Sequence, residues 1–327
     1  MNFQDLVKVE RADWFIDIAF KTAGKVSDDK RSDVTKTKAS KLSKSRTLEL
    51  MKITTIQKVL IKHLKNIVEK FPSIDELPDF YQELINCTLD KDELKKSLGG
   101  VSWAITRIGL FSKKYSGKIK AGREIITINS QRKEYYGRIC SVLKQIDKFL
   151  VVIEKSRRIM KSYPSIKTNI PTIAIFGFPN IGKTTLLSKL TGSTPDIQPY
   201  AFTTKGLNIG YIKKSYKKLQ VIDTPGSLDR FDKLNNIEKQ AYLALKHCAQ
   251  KVIYVFDLTE PFPIEDQLEL FKKLKKQLAK EQEIVVYFSK SDILDKQIIT
   301  EFIKNSKLSN AYFNAELLLD KLKHIYL

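Results

Sequence analysis

Residues 177–184 read GFPNIGKT and satisfy the spacing GxxxxGK[ST], which is the spacing of a phosphate cradle. Gly177 and Gly182 let the backbone turn its amide hydrogens inward around phosphate oxygens, at a helix amino terminus whose dipole favours anions. Lys183 supplies a point charge for β- and γ-phosphates, and Thr184 a hydroxyl for magnesium. Asn180, Ile181 and Thr185 complete the expected cradle.

A second constellation, Asp223-Thr224-Pro225-Gly226, follows 40 residues after Lys183. Asp223 is expected to hold the magnesium shell and the Gly226 amide to touch a γ-phosphate. Between the two lies QPYAFTTKG, where Thr204 could close over metal and γ-phosphate when triphosphate is bound. The third, Ser289-Lys290-Ser291-Asp292, stands where a base-selecting loop belongs. Asp292 can accept from the N1 and N2 donors of guanine; adenine lacks the N2 amino group and its N1 is an acceptor, so GTP/GDP is expected over ATP. Lys290 would pack over the base, while Ser289 departs from the asparagine of the NKxD pattern. Asn314-Ala315-Glu316 occupies the place of a further base-contacting loop.

These groups need strand ends to present them. Residues 172–176, 219–222, 252–256 and 284–288 are short β-branched or aromatic runs, each ending at a glycine or polar cluster, as buried parallel strands do. The first runs directly into GFPNIGKT. Before residue 165 the texture is helical. Apolar residues from Ile56 to Phe71 step by three and four, and Tyr136, Ile139, Leu143, Ile146, Leu150 and Ile153 do so more regularly. Residues 80–89 and 101–119 also read as helices. The fold expected is thus α+β with two domains. A basic helical bundle spans 1–165, and a P-loop α/β domain, with a mainly parallel sheet and helices on both faces, spans 166–327. Residues 23–45, poor in large apolar groups, are expected to be a mobile, solvated segment, and 163–171, with two prolines, a linker.

Composition narrows the partners. Of the net charge of +21, +15 lies in residues 1–170, with 35 Lys and Arg against 20 Asp and Glu. Residues 101–170 hold 16 against 4. That density suits a polyanion such as RNA. Cys87, Cys140 and Cys248 are too far apart for a metal knuckle and are expected to be core residues. The three histidines form no ligand set. With no signal peptide and no run of 18 apolar residues, a cytoplasmic protein is expected, with neither membrane nor DNA as partner.

The stretches GFPNIGKTTLLSKLTGSTPDIQPYAFTTKGLNIGYI, QVIDTPGSLD, IEKQAYLALKH and VIYVFDLTE resemble the Obg-related GTPases, most closely the Nog family of nucleolar G-proteins. FPSIDELPDFYQELINCTLDKDELKKSLGGVSWA is similar to the helical domain that precedes the G domain there. The resemblance implies a GTPase of compact archaeal type that assembles the large ribosomal subunit, both domains engaging pre-ribosomal RNA and ribosomal proteins. Ser227 stands where Ras-like enzymes carry the glutamine that orients water, so slow intrinsic hydrolysis is expected. Related enzymes use the asparagine at the position of Asn180 to coordinate potassium; shaping the loop is the alternative role. A nucleotide-gated RNA-binding module with little turnover remains the alternative reading of the whole.

Overall fold

The computed structural model describes residues 3–36, 38–192, 196–198, 207–224, 248–259, 262–278, 282–306 and 308–327. They divide into two compact units. One comprises Gln4–Ser73 and Leu89–Lys161; the other comprises Phe3, Ile74–Thr88 and Ser162–Leu327.

In the first unit, helices α1 (Ala12–Lys36) and α2 (Lys41–Lys70) form an antiparallel pair. Ser40 caps α2, its hydroxyl accepting from the Ser43 amide at 3.2 Å, which satisfies one of the free donors of the first turn. Along α2, Ile53, Ile56, Leu60, Leu64 and Ile67 are buried, the spacing of one helix face. Within 23–45, expected as a mobile, solvated segment, 28–36 are exposed except for half-buried Val34, while 23–36 belong to helix α1 and 41–45 to α2. The reason lies in small side chains: Phe15, Ala19, Ala23 and Ser27 are buried at helical spacing, so α1 packs closely without large apolar groups.

Helix α3 (Asp79–Thr88) belongs to the other unit. Helices α4 (Lys91–Ala121) and α5 (Ile125–Lys161) complete the bundle. Asp90 caps α4 through the Glu93 amide at 2.9 Å. On α5, Ile139, Leu143, Ile146, Leu150 and Ile153 are fully buried, each burial contributing about 1.5–3 kcal/mol. At the head of that stripe Tyr135, rather than Tyr136, is the fully buried ring. Two carboxylates on the same helix hold the amino-terminal strap. Asp147 accepts from Arg11 and the Ala12 amide, and Glu154 from the Val9 amide, Arg157 and Arg158.

The second unit is a seven-stranded sheet. In chain order its strands are β1 (Thr172–Phe176), β2 (Asp196–Gln198), β3 (Leu207–Lys214), β4 (Lys217–Asp223), β5 (Lys251–Phe256), β6 (Glu283–Phe288) and β7 (Ala311–Tyr312). They lie in the order β2-β3-β4-β1-β5-β6-β7. From β4 to β7 all pairings are parallel; β3 runs antiparallel to β4 and β2 to β3. Strands β1 and β5 are buried throughout, matching their continuous apolar runs. Helices α6 (Lys183–Thr191), α7 (Ile264–Gln277), α8 (Lys296–Ser306) and α9 (Ala315–Tyr326) accompany the sheet.

Three expectations need correction here. Residues 163–166 are no exposed linker: Tyr163 and Ile166 are buried, and the Tyr81 hydroxyl of α3 bonds the carbonyls of Pro164 and Ile166. Burial holds the Tyr81 phenol far above its ordinary pKa. The unit boundary accordingly falls at Ser162 rather than 166, with α3 on the sheet side. Cys87 is exposed, because the last turn of α3 points it outward; Cys140 and Cys248 are half-buried.

Candidate nucleotide site

Parallel register brings the carboxyl ends of β1, β4, β5 and β6 to one edge of the sheet, where ligands bind in open α/β sheets. After β1 the chain passes Gly177 at φ 143°, Asn180 at φ 60° and Gly182 at φ 91° before entering α6. A Cβ at Gly177 would stand 2.4 Å from Ile181 Cδ1 and 2.7 Å from the Val255 carbonyl oxygen, so only glycine closes this turn. Ile181 is wholly buried and serves the loop as its hydrophobic floor. Lys183 is buried and its ammonium donates to the Phe178 carbonyl, lying across the loop.

Asn180, Gly182, Lys183, Thr184 and Thr185 line a cavity of about 530 Å³. The Thr184 hydroxyl donates to Asp223 Oδ2 at 2.6 Å, joining the first two motifs. Asn208, which the motifs do not include, donates to the same oxygen at 3.0 Å. Asp223 is buried, and its other oxygen, Oδ1, has no hydrogen-bond partner among the described residues. Thr204 and Gly226 lie outside the described residues.

A second cavity of about 770 Å³ adjoins the first; both are lined by Lys189, Tyr287, Lys290 and Asp292. Ser291, Phe313, Asn314, Ala315 and Glu316 also line this one. Burial first, and then the Asp292 charge, raise the Tyr287 phenol above its ordinary pKa. The Asn314 side chain caps α9, accepting from the Glu316 amide at 2.7 Å. Ser289 is buried, its amide and hydroxyl both donating to the Phe256 carbonyl, at 2.9 and 3.2 Å. Its side chain is thereby committed to the end of β5. The Ser291 hydroxyl ties the loop to the Phe313 carbonyl at 2.8 Å.

The sequence motifs place no role on Asp257, the residue directly after β5. It is fully buried and its Oδ2 lies 2.6 Å from Lys290 Nζ. A buried carboxylate directly after an apolar strand was the available signal. Asn208 and Tyr287 carried none, since each becomes part of the site only through strand pairing.

The chain matches two family models. Residues 3–167 match one described as the NOG1 N-terminal helical domain, and 172–290 match one described as a 50S ribosome-binding GTPase. An uncharacterized protein of Methanocaldococcus jannaschii is 38% identical over 242 residues, covering 73% of this chain and 67% of that protein. Nucleolar GTP-binding protein 1 of Encephalitozoon cuniculi is 34% identical over 269 residues, 80% of this chain and 51% of its own length. The protein of that name in Saccharomyces cerevisiae is 33% identical over 244 residues, and there the match spans only 38% of the relative. A solved structure of a nucleolar GTP-binding protein 1 from Plasmodium falciparum aligns at 30% identity and a TM-score of 0.36, over 46% of this chain and 77% of that one.

Proposed function

The chain belongs to the NOG1 family of GTPases, and from that premise we propose that it is a GTP-hydrolysing assembly factor of the large ribosomal subunit. In this reading GTP and GDP occupy the adjoining cavities, phosphates against residues 177–185 and the base against Lys290, Asp292 and the turn at 314–316. The observation that carries it is the Thr184–Asp223 pair at 2.6 Å beside the phosphate loop. Two elements far apart in sequence supply the hydroxyl and carboxylate that a nucleotide-bound magnesium ion needs.

The residues present fit that ion. Asp223 Oδ1 is buried and has no hydrogen-bond partner among the described residues, and a buried acceptor left unpaired costs about 1–3 kcal/mol; a hard cation takes oxygen ligands of this kind. Thr184 and Asp223 would hold it, with Thr204 added on triphosphate binding. Magnesium there neutralises charge on the phosphoryl oxygens. Lys183 neutralises the β- and γ-oxygens, Gly182 and the first amides of α6 orient them, and Gly226 contacts the γ-phosphate. Potassium beside Asn180, which lines the phosphate cavity, is part of the same proposal. Turnover is then faster in potassium chloride than in sodium chloride, and Asn180→Ala removes the difference; equal rates in the two salts for the unaltered chain exclude it.

The basic helical unit supports an rRNA partner by charge, and precursor particles with their ribosomal proteins are the proposed docking target. The cytoplasmic location expected from the sequence belongs to this proposal, alongside the word nucleolar in the relatives' names. Among the described residues no helix is long and apolar enough to cross a membrane. The test is direct: GTP, but not ATP, displaces bound labelled GDP, and purified large subunits raise GTP turnover. Tight binding to particles with no turnover under any condition points instead to a nucleotide-gated binding module.

A further inference from the structure

The base-selecting loop has to be held rigidly to present Asp292, and its backbone is not relaxed. Lys290 sits at φ 52°, in the left-handed region that side chains other than glycine, asparagine and aspartate rarely adopt. Ser289 cannot reach across the site, because its hydroxyl is given to the Phe256 carbonyl. Something else must fix Lys290.

That anchor is built on the end of β5. Asp257 Oδ1 accepts from the Thr259 amide at 2.9 Å and the Thr259 hydroxyl at 2.6 Å, closing a tight turn. Its Oδ2 has no hydrogen-bond partner among the described residues, yet it faces Lys290 Nζ at 2.6 Å. Lys290 Nζ also donates to the Thr259 hydroxyl at 3.3 Å. Behind the carboxylate, the fully buried Gln267 of α7 grips the backbone. Its Oε1 accepts from the Asp257 amide at 3.0 Å and its Nε2 donates to the Asp257 carbonyl at 2.9 Å. Asp257 therefore cannot swing away, and with Lys290 as its only counter-charge among the described residues the buried carboxylate holds that ammonium firmly.

We propose that Asp257 is the positioning residue for base recognition. Its ion pair with Lys290 sustains the left-handed turn that places Lys290 over the base and aims Asp292 at the base edge. Asp257 touches no nucleotide itself. This inference rests on the nucleotide reading above and assigns within it the source of guanine selectivity.

The experiment measures binding of GDP, IDP and magnesium pyrophosphate to the full chain, as unaltered protein and as Asp257→Asn, Lys290→Met and the double variant. Inosine lacks the exocyclic amino group that Asp292 recognises, so the GDP-to-IDP affinity ratio reports the aim of Asp292. Asp257→Asn should weaken GDP by roughly tenfold or more, collapse the GDP-to-IDP ratio toward one, and leave pyrophosphate binding within about twofold, since the loop 177–184 is untouched. Lys290→Met should do the same, and the double variant no worse than either single one. Thr259→Ala, a milder change, keeps the test open should Asp257→Asn melt early: it should lower the GDP-to-IDP ratio at an almost unchanged Tm. An unaltered ratio in Asp257→Asn or, if that variant does not fold, in Thr259→Ala overturns the inference, as does an equal loss of GDP and pyrophosphate. Failure of the unaltered chain to bind GDP at all would instead overturn the nucleotide reading.

Discussion

At the sheet edge the proposed chemistry divides among single side chains, each with a separable task. Thr184 and Asp223 meet across 39 residues of chain to make one polar pair, whereas Asp292, the residue proposed to meet the base, lines both cavities. The carboxylate of Asp292 can only accept hydrogen bonds, which matches the two donors on guanine. Asp292→Asn replaces one acceptor by a donor and should therefore shift preference from guanosine to xanthosine nucleotides, whose C2 carbonyl accepts. Competition of GDP and XDP for the variant checks this; unchanged preference removes Asp292 from base recognition. The sequence motif offers Asp292 as the candidate base-contacting residue. It could not show that Ser289 is spent on the Phe256 carbonyl, because that contact exists only once β5 and β6 lie side by side.

Among elements, α5 and α4 carry the clearest consequences. Glu154 on α5 is pulled in two directions: burial raises its pKa, but hydrogen bonds from Arg157, the Val9 amide and Arg158 together outweigh that and bring it down to about 2. A carboxyl whose folded pKa lies below its ordinary value of 4.5 stabilises the fold fully above pH 4.5, and that contribution fades as pH falls toward 2. Glu154→Gln should consequently lower stability at neutral pH, by up to about 3 kcal/mol. The gap between variant and unaltered protein should close between pH 4.5 and 2 in thermal melts; a gap independent of pH would show that packing, not charge, is lost. On α4, no acidic residue occurs between positions 94 and 121. Its outward side exposes Trp103 and Leu110, with the Arg107 guanidinium 5.7 Å from both the Trp103 and Phe111 ring centres. An exposed tryptophan beside arginine and lysine suits stacked bases and phosphates. Lys113→Glu with Lys114→Glu should weaken RNA binding and flatten its salt dependence, without altering GDP affinity. Binding and salt slope equal to those of the unaltered chain would remove α4 from the RNA face.

At the scale of the whole molecule, a net charge of +21 makes association with a polyanionic particle steep in salt. Co-sedimentation with large subunits should fall sharply between low and moderate salt, and the bound fraction should depend on whether GDP or a non-hydrolysable GTP analogue is present. Identical sedimentation in both nucleotides would leave the GTPase without a switching role on the particle. The family match spans both halves of the chain, 3–167 and 172–290, so helical unit and G domain occur together as one pattern. Chain continuity does not follow the structural division, however, since α3 lies between two bundle helices in sequence and within the sheet unit in space.

The sequence alone determined the phosphate loop, the four central strands, the stripes of the long helices and the order of the motifs. Each of these rests on local spacing: backbone freedom at glycine, alternation or continuity of apolar residues, and the reach of one side chain to its own strand end. Tertiary structure decided what depends on neighbours. It continued α1 through 23–36, packing Ala23 and Ser27 while leaving 28–36 largely exposed. It turned 163–166 from a linker into a buried seam against Tyr81. It recruited Asn208 to Asp223 and Asp257 to Lys290. The pairings themselves have no signature in linear spacing, because the partners are brought together by strand register and helix packing rather than by proximity along the chain.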